Sequence, residues 1–226
     1  MKLLIDDANV EEIQRLVEYY PIDGVTTNPS ILGKQKRNPK EVLLEIREII
    51  GSDALLFVQA LPTDAEGMVE DAKAIVKLLG ENTIVKVPSI PEGFKAIRIL
   101  KEEGITTCGT VVFTPMQAYL AAKAGASYVA PYVNRIDNMG YDGIRVTKEI
   151  QDILVNHHMD CMVLAASFKN SQQVLELCEY GIGSATAAPS VIDAFVKNPA
   201  IDRAVEDFIH DFESLGEKKT MSEYLG

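Results

Sequence analysis

Short apolar segments alternate with amphipathic, helix-like stretches eight times along this 226-residue chain, and that alternation constrains the fold more than any other feature. A strand, a helix and a further strand make a βαβ unit, whose two strands run parallel. The segments read as KLLID ending at Asp6, GVTTN, ALLFVQA, TIVKVP, TTCGTVVF, ASYVAPYV, CMVLAAS and a weaker GSATAA. Helices are predicted from Asn9 to about Tyr20, Pro39 to Ile50 and Thr63 to Leu79, with 3.6-residue periodicity in Val42, Ile46 and Ile49, and in Ile97 and Leu100 before Gly104. Pro115 and Pro189 stand where first helical turns begin. Eight such units within about 200 residues, without a long linker, predict an α/β fold: a single (β/α)8 TIM barrel over residues 1–226. An open doubly wound sheet is the competing architecture, but no G-x-G-x-x-G turn follows the first strand.

A further helix, roughly Ile201 to Leu215, lies in a C-terminal extension over residues 201–226. Ile201, Ala204, Val205, Phe208 and Phe212 share one face of it. With the barrel already complete, this stripe covers either the barrel's own rim or a neighbouring subunit.

Composition narrows the function classes. A formal net charge of −11 argues against general nucleic-acid or anionic-membrane binding, although a few convergent cations still suffice for a small phosphorylated substrate. No apolar run approaches the roughly 20 residues that span a bilayer, and the opening MKLLIDD does not read as a signal peptide. A cytoplasmic protein is expected. Cys108, Cys161 and Cys178 are an odd, widely spaced set with no C-x-x-C pair, which reads as three reduced thiols. No His, Cys or carboxylate cluster has metal-ligand spacing, so neither a metal nor another cofactor is expected; His157 and His158 read as surface residues.

Barrel strands send alternate side chains inward, and sites form at their C-terminal ends. In TIVKVP, Val85 and Val87 belong on the helix-facing side, which turns Lys86 to the axis. The same alternation predicts Asp6, Asn28 and Gln59 inward, Thr110 in phase with Cys108 and Val112, Tyr132 with Tyr128, and Ser167 with Val163 and Ala165. Thr27, beside Asn28, is a further candidate for substrate contact. Seven strands thus aim a polar group at one axis.

Lys86 points to the reaction class. A lysine within a buried strand is rare unless paired or functional, and loss of water disfavours its ammonium form. The neutral amine can add to a ketose carbonyl, and the resulting iminium accepts the electrons of the adjacent C–C bond. Thr110, Gln59 and Tyr132 could hold a water and relay protons, Asp6 could accept from or orient a hydroxyl, and Asn28 could bind sugar hydroxyls. Arg135, Ser167 and Lys169 combine a fork, a hydroxyl and a point charge suited to a sugar phosphate. The competing structural readings are a Lys86–Asp6 ion pair and an Arg135–Asp137 surface pair.

Several consecutive stretches resemble the fructose-6-phosphate aldolase and small-transaldolase family: GVTTNPSI (Gly24 to Ile31), AEGM (Ala65 to Met68), VKVP (Val85 to Pro88), EGFKAI, AGASYVAPYVNRID (Ala124 to Asp137) and LAASFK (Leu164 to Lys169). The resemblance implies a barrel with Schiff-base catalysis at Lys86 in a site with Asp6, Asn28, Gln59, Thr110 and Tyr132, and phosphate held by Arg135, Ser167 and Lys169. It also implies a homo-oligomer, a decamer of two pentamers, with the C-terminal helix reaching a neighbour. Transaldolases of the family have Glu where this chain has Gln59 and Phe where it has Tyr132, so the chain looks like the aldolase branch. The Tyr141 to Gly143 segment and the ATAA stretch depart from the aldolase pattern. The expected reaction is cleavage and formation of fructose 6-phosphate; the alternatives are transaldolase transfer, a non-catalytic sugar-phosphate-binding barrel, and an isomerase or epimerase using Asp6 as base.

Overall fold

The computed structural model describes residues 1–226. The first half runs β1 (Lys2–Asp6), α1 (Val10–Tyr19), β2 (Gly24–Thr26), α2 (Pro29–Lys34), α3 (Pro39–Ile50), β3 (Leu55–Gln59), α4 (Ala65–Leu79) and β4 (Thr83–Pro88). It continues through α5 (Pro91–Glu102), β5 (Thr107–Val112), α6 (Pro115–Ala124), β6 (Tyr128–Pro131), α7 (Val133–Asp137), α8 (Gly143–Asn156) and β7 (Met162–Ala165). The remaining elements are α9 (Ser171–Tyr180), β8 (Ser184–Ala187), α10 (Pro189–Asp193), α11 (Pro199–Glu213) and α12 (Met221–Leu225). The eight strands pair in sequence order, all parallel, and β8 returns to β1 to close the barrel. Closure leaves no unpaired sheet edge.

Helix starts are set by local chemistry. Asn9, Asp64, Thr114 and Asn170 each accept a backbone N–H from the turn they open, satisfying a donor the helix cannot. Asp64 therefore moves the start of α4 to Ala65, two residues past the Thr63 read from the sequence. The short α2, α7 and α12 have too few turns to show a period, and sequence periodicity did not reveal them; the equally short α10 begins at Pro189, as its proline signals. Gly93, in the EGFKAI stretch, is required by close packing: a Cβ there would meet the Pro88 carbonyl oxygen at 1.8 Å. It lets α5 lie against the end of the strand that carries Lys86.

Two apolar layers follow from strand alternation. Outward side chains such as Ile5, Val25, Val58, Val85, Val87 and Val163 join the large cluster between barrel and helices. Inward side chains Leu4, Phe57, Ile84, Cys108, Ala130 and Leu164 form a separate plug inside the barrel, with Phe57 edge-on to Tyr128 at 5.1 Å between centroids. This plug is the floor of the site described below.

Two phase assignments differ from the sequence reading. Val112 is not inward with Cys108: the β5–β6 register shifts between Gly109 and Val112, Val111 takes φ 59°, and Val112 joins the outer cluster. Val163 and Ala165 also face outward, so alternation in β7 puts Leu164 inside and leaves Ser167 out of phase with the axis. The C-terminal stripe stays uncovered by its own chain: α11 has no buried residue, and Phe208 is 73% exposed. Phe212 meets Tyr224 edge-on, and Val205, Phe208 and Ile209 line an open concavity with Lys219 and Met221. No helix is long and apolar enough to cross a membrane.

Candidate active site

In five strands the inward plug residue is followed two positions later by a polar candidate: Leu4 by Asp6, Phe57 by Gln59, Ile84 by Lys86, Cys108 by Thr110 and Ala130 by Tyr132. A two-residue step keeps the same face and climbs one layer toward the C-terminal mouth. Register ties neighbours together, with Gln59 opposite Lys86 and Pro88 opposite Thr110.

Lys86 lies on this layer and is 5% exposed. Its Nζ donates to the Thr27 carbonyl at 2.8 Å, and no carboxylate lies within 4.0 Å of it. A direct Lys86–Asp6 ion pair is therefore absent. Thr27 is itself pinned, its N–H and its hydroxyl both donating to the Phe57 carbonyl at 2.9 and 3.0 Å. The structure thus commits the Thr27 hydroxyl to the backbone and gives its carbonyl to Lys86.

Asp6 sits partly exposed at the mouth. Burial among protein atoms pushes its carboxyl above the ordinary range; the opposing influences are Lys86 charge, a hydrogen bond from Thr26 and Arg135 charge, while Asp7 adds to the rise. The Thr26 hydroxyl donates to Asp6 Oδ1 at 2.9 Å and lies 2.6 Å from the Thr186 hydroxyl. Neither threonine was picked out from the sequence. Thr26 shares the inward phase of Asn28, and that signal could have found it; Thr186 lies in the strand whose pattern is weakest.

Across the mouth, the Thr110 and Tyr132 hydroxyls are 3.1 Å apart. The Arg135 guanidinium stacks over the Tyr132 ring at 4.5 Å, and Phe113 meets that ring edge-on at 5.6 Å. The bulge beside Thr110 is clamped by Gln117, which accepts from Phe113 N–H and donates to the Ser89 and Val111 carbonyls. A valine at positive φ is strained, and Gln117 supplies hydrogen bonds that hold it.

The remaining candidates lie on the rim. Asn28 has left the strand and caps α2, accepting from Ile31 N–H at 3.0 Å. Gln59 is half-buried. Ser167 follows the end of β7 with φ 62°, and its carbonyl accepts from Asn134 N–H at 2.8 Å, which ties its loop to the start of α7. A left-handed residue at this point redirects the chain, so strand alternation no longer governs where Ser167 points. Lys169 is exposed. Arg135 is exposed and does not pair with Asp137, whose oxygens instead take Gly143 N–H and the Gln173 side-chain amide, both at 2.7 Å. Arg135 is thus left with its guanidinium free of any carboxylate contact.

No group of three or more His, Cys, Asp or Glu is placed to hold a metal ion. Cys108, in the plug beneath Lys86, has its thiol pushed up to about 12 by burial, and Cys161 is raised for the same reason. Both stay protonated at neutral pH. Cys178 is exposed.

The barrel is shared with solved structures of low sequence identity, which show the fold alone. A native KDPGal structure is 17% identical, covering 91% of this chain and 97% of that one, with a TM-score of 0.60. A designed cube-shaped, highly porous protein cage built by fusing symmetric oligomeric domains is 16% identical over 100% of this chain and 89% of that one, TM-score 0.60. A flavocytochrome b2 with sulfite bound is 14% identical over 83% and 56%, TM-score 0.60. The family profile described as Transaldolase/Fructose-6-phosphate aldolase matches residues 3–224, nearly the whole chain. The chain belongs to the transaldolase/fructose-6-phosphate aldolase family.

Proposed function

We propose that this protein is a class I aldolase that reversibly cleaves fructose 6-phosphate to dihydroxyacetone and glyceraldehyde 3-phosphate through a Schiff base on Lys86. The observation that carries the reading is the state of that side chain: inward, 5% exposed, held by a backbone carbonyl and touched by no carboxylate. Direct contact with a carboxylate would favour the ammonium, which cannot attack a carbonyl.

The neutral amine adds to the C2 carbonyl, and the carbinolamine loses water to give the iminium. The C3–C4 bond then breaks; its electron pair enters the C=N group to form an enamine as the C4 hydroxyl proton leaves, releasing glyceraldehyde 3-phosphate. Protonation at C3 and hydrolysis of the iminium free dihydroxyacetone and regenerate the amine. Asp6 is suited to accept from or orient a substrate hydroxyl, and the Thr110–Tyr132 hydroxyl pair with Gln59 to hold the water. Arg135, with Ser167 and Lys169 on the neighbouring loop, is suited to the phosphate, and Asn28 to sugar hydroxyls. In the assembled enzyme a neighbouring subunit covers the apolar face of α11, in a decamer of two pentamers working in the cytoplasm without a cofactor.

The transaldolase alternative shares every step up to the enamine. Tyr132 favours the aldolase, because its hydroxyl beside Thr110 can position water for hydrolysis. Incubation with fructose 6-phosphate alone separates the two. Sustained glyceraldehyde 3-phosphate release is expected; release only after erythrose 4-phosphate is added would reject the aldolase. Borohydride trapping followed by mass analysis should place a three- or six-carbon adduct on Lys86, whereas an unmodified lysine favours a barrel that merely binds sugar phosphates. An isomerase or epimerase with Asp6 as base would instead give product without C–C cleavage.

A further inference from the structure

We propose that Thr186 is a positioning residue for Asp6, acting through the Thr26 hydroxyl. The three groups form a continuous hydrogen-bonded row across β8, β2 and β1: Thr186 Oγ1 to Thr26 Oγ1 at 2.6 Å, and Thr26 Oγ1 to Asp6 Oδ1 at 2.9 Å. Both threonines are sealed from solvent, at 2% and 0% exposure, so neither hydroxyl exchanges its partner for water.

Proton placement gives the row a direction. Each threonine has one hydrogen. With Asp6 ionised, Thr26 spends its hydrogen on the carboxylate, and Thr186 then spends its own on Thr26, leaving every hydrogen with an acceptor. A protonated Asp6 either donates to Thr26, which turns the row round and leaves the Thr186 hydrogen inside the barrel without a protein acceptor, or keeps Thr26 as donor to a neutral oxygen, a weaker acceptor than the carboxylate. An orphaned buried donor is unfavourable. The row therefore supports the carboxylate against the burial that disfavours it, and aligned hydroxyls polarise one another in that sense. The charged groups acting on Asp6 are Lys86 from β4, Arg135 from α7 and the adjacent Asp7; Thr186 is the one contributor that acts wholly through another side chain. Its consequence for catalysis rests on the Schiff-base reading, but the row itself does not.

The test is a titration of the Asp6 carboxyl carbon by NMR, its signal identified by loss in Asp6→Asn, in the full-length protein and in Thr186→Val and Thr186→Ser. The near-isosteric valine should move the Asp6 midpoint up by roughly half a pH unit to one unit, the scale of one net hydrogen bond, and serine should restore it. The corresponding limb of kcat/KM for fructose 6-phosphate cleavage should move in step. Thr186→Ala removes the same hydroxyl if valine prevents folding. An unchanged midpoint without the hydroxyl, or a serine variant that titrates like valine, overturns the proposal. A shifted midpoint in a protein that cleaves no sugar phosphate would sustain the row and reject the aldolase assignment.

Discussion

Replacing Lys86 by Met should abolish C–C cleavage and, in the same molecule, raise stability. The side chain is 5% exposed and makes one hydrogen bond, to the Thr27 carbonyl; its other hydrogens have no protein acceptor. Methionine leaves the buried Thr27 carbonyl without its donor, at a cost of about 1–3 kcal/mol, which roughly cancels the ~1–3 kcal/mol returned by removing a buried, incompletely paired donor. The thioether adds apolar burial worth on the order of 1 kcal/mol where the amine stood. The balance is about 1 kcal/mol in favour of methionine, and for a chain of this size each kcal/mol moves Tm by about 2–4 °C. A rise of about 2–4 °C is expected by calorimetry at matched protein concentration, since assembly shifts apparent stability. A structural lysine that neutralised Asp6 would behave oppositely, because breaking a buried charge pair costs about 3–5 kcal/mol. A fall in Tm of that size would refute the reasoning and restore the ion-pair interpretation.

Four further outcomes follow. Tyr132→Phe removes the hydroxyl 3.1 Å from Thr110; it should lower dihydroxyacetone release by about 100- to 10,000-fold, as loss of one proton-relay group does, while transfer to added erythrose 4-phosphate is retained, which coupled assays of the two products read. Arg135→Ala should raise KM for fructose 6-phosphate by about 10- to 100-fold, the scale of a charged hydrogen bond, and leave KM for unphosphorylated fructose nearly unchanged. Phe208→Asp, at a position 73% exposed on the uncovered face of α11, should lower the mass measured by sedimentation if a neighbour covers that face; an unaltered mass would mean that no subunit docks there. Asp6→Asn should remove activity and change the pH dependence of stability. Because burial raises the folded-state Asp6 carboxyl above 3.8, its contribution is full below that value and is lost as pH rises through the folded value. The asparagine variant should therefore gain on the wild type across that interval in urea midpoints measured from acid to neutral pH.

How far the sequence revealed this arrangement depended on how regular each strand is. Lys86 sits inside TIVKVP, whose valines flank it and face the helices, so alternation alone placed it correctly. The same rule found Asp6, Gln59, Thr110 and Tyr132, each two residues beyond an apolar plug residue. It failed where the backbone leaves the strand. Asn28 had become a helix cap, Val111 had turned the end of β5 through a bulge, and Ser167 had taken a left-handed conformation. None of these has a glycine to announce it, and a positive φ at Val111 or Ser167 is set by tertiary contacts such as the Gln117 clamp rather than by local preference. The Arg135 partner was likewise invisible: Asp137 two residues on offered the obvious pair, yet Gly143 and Gln173 claim it. Thr186 escaped because a hydroxyl on a buried strand reads as core until its partner across the barrel is known.

The interior separates its charges instead of pairing them. Asp6 and Lys86 are the charged side chains of the inward layer, and each is held by a neutral partner: the carboxylate by the Thr26 hydroxyl, the amine by the Thr27 carbonyl. Adjacent residues on one strand point opposite ways, so consecutive threonines hold the two groups by different means, one through its side chain and the other through its backbone. A direct pair would have satisfied both charges more simply, but it would have occupied the lysine hydrogens and the carboxylate oxygens. Neutral partners leave each group able to trade its hydrogen bond for one to a substrate. On this view the Phe57 carbonyl, which pins Thr27 twice, matters to the site as much as any polar side chain at the rim. Its position is fixed in turn by the Phe57 ring buried in the plug below, so the packing of the barrel floor sets where the amine rests.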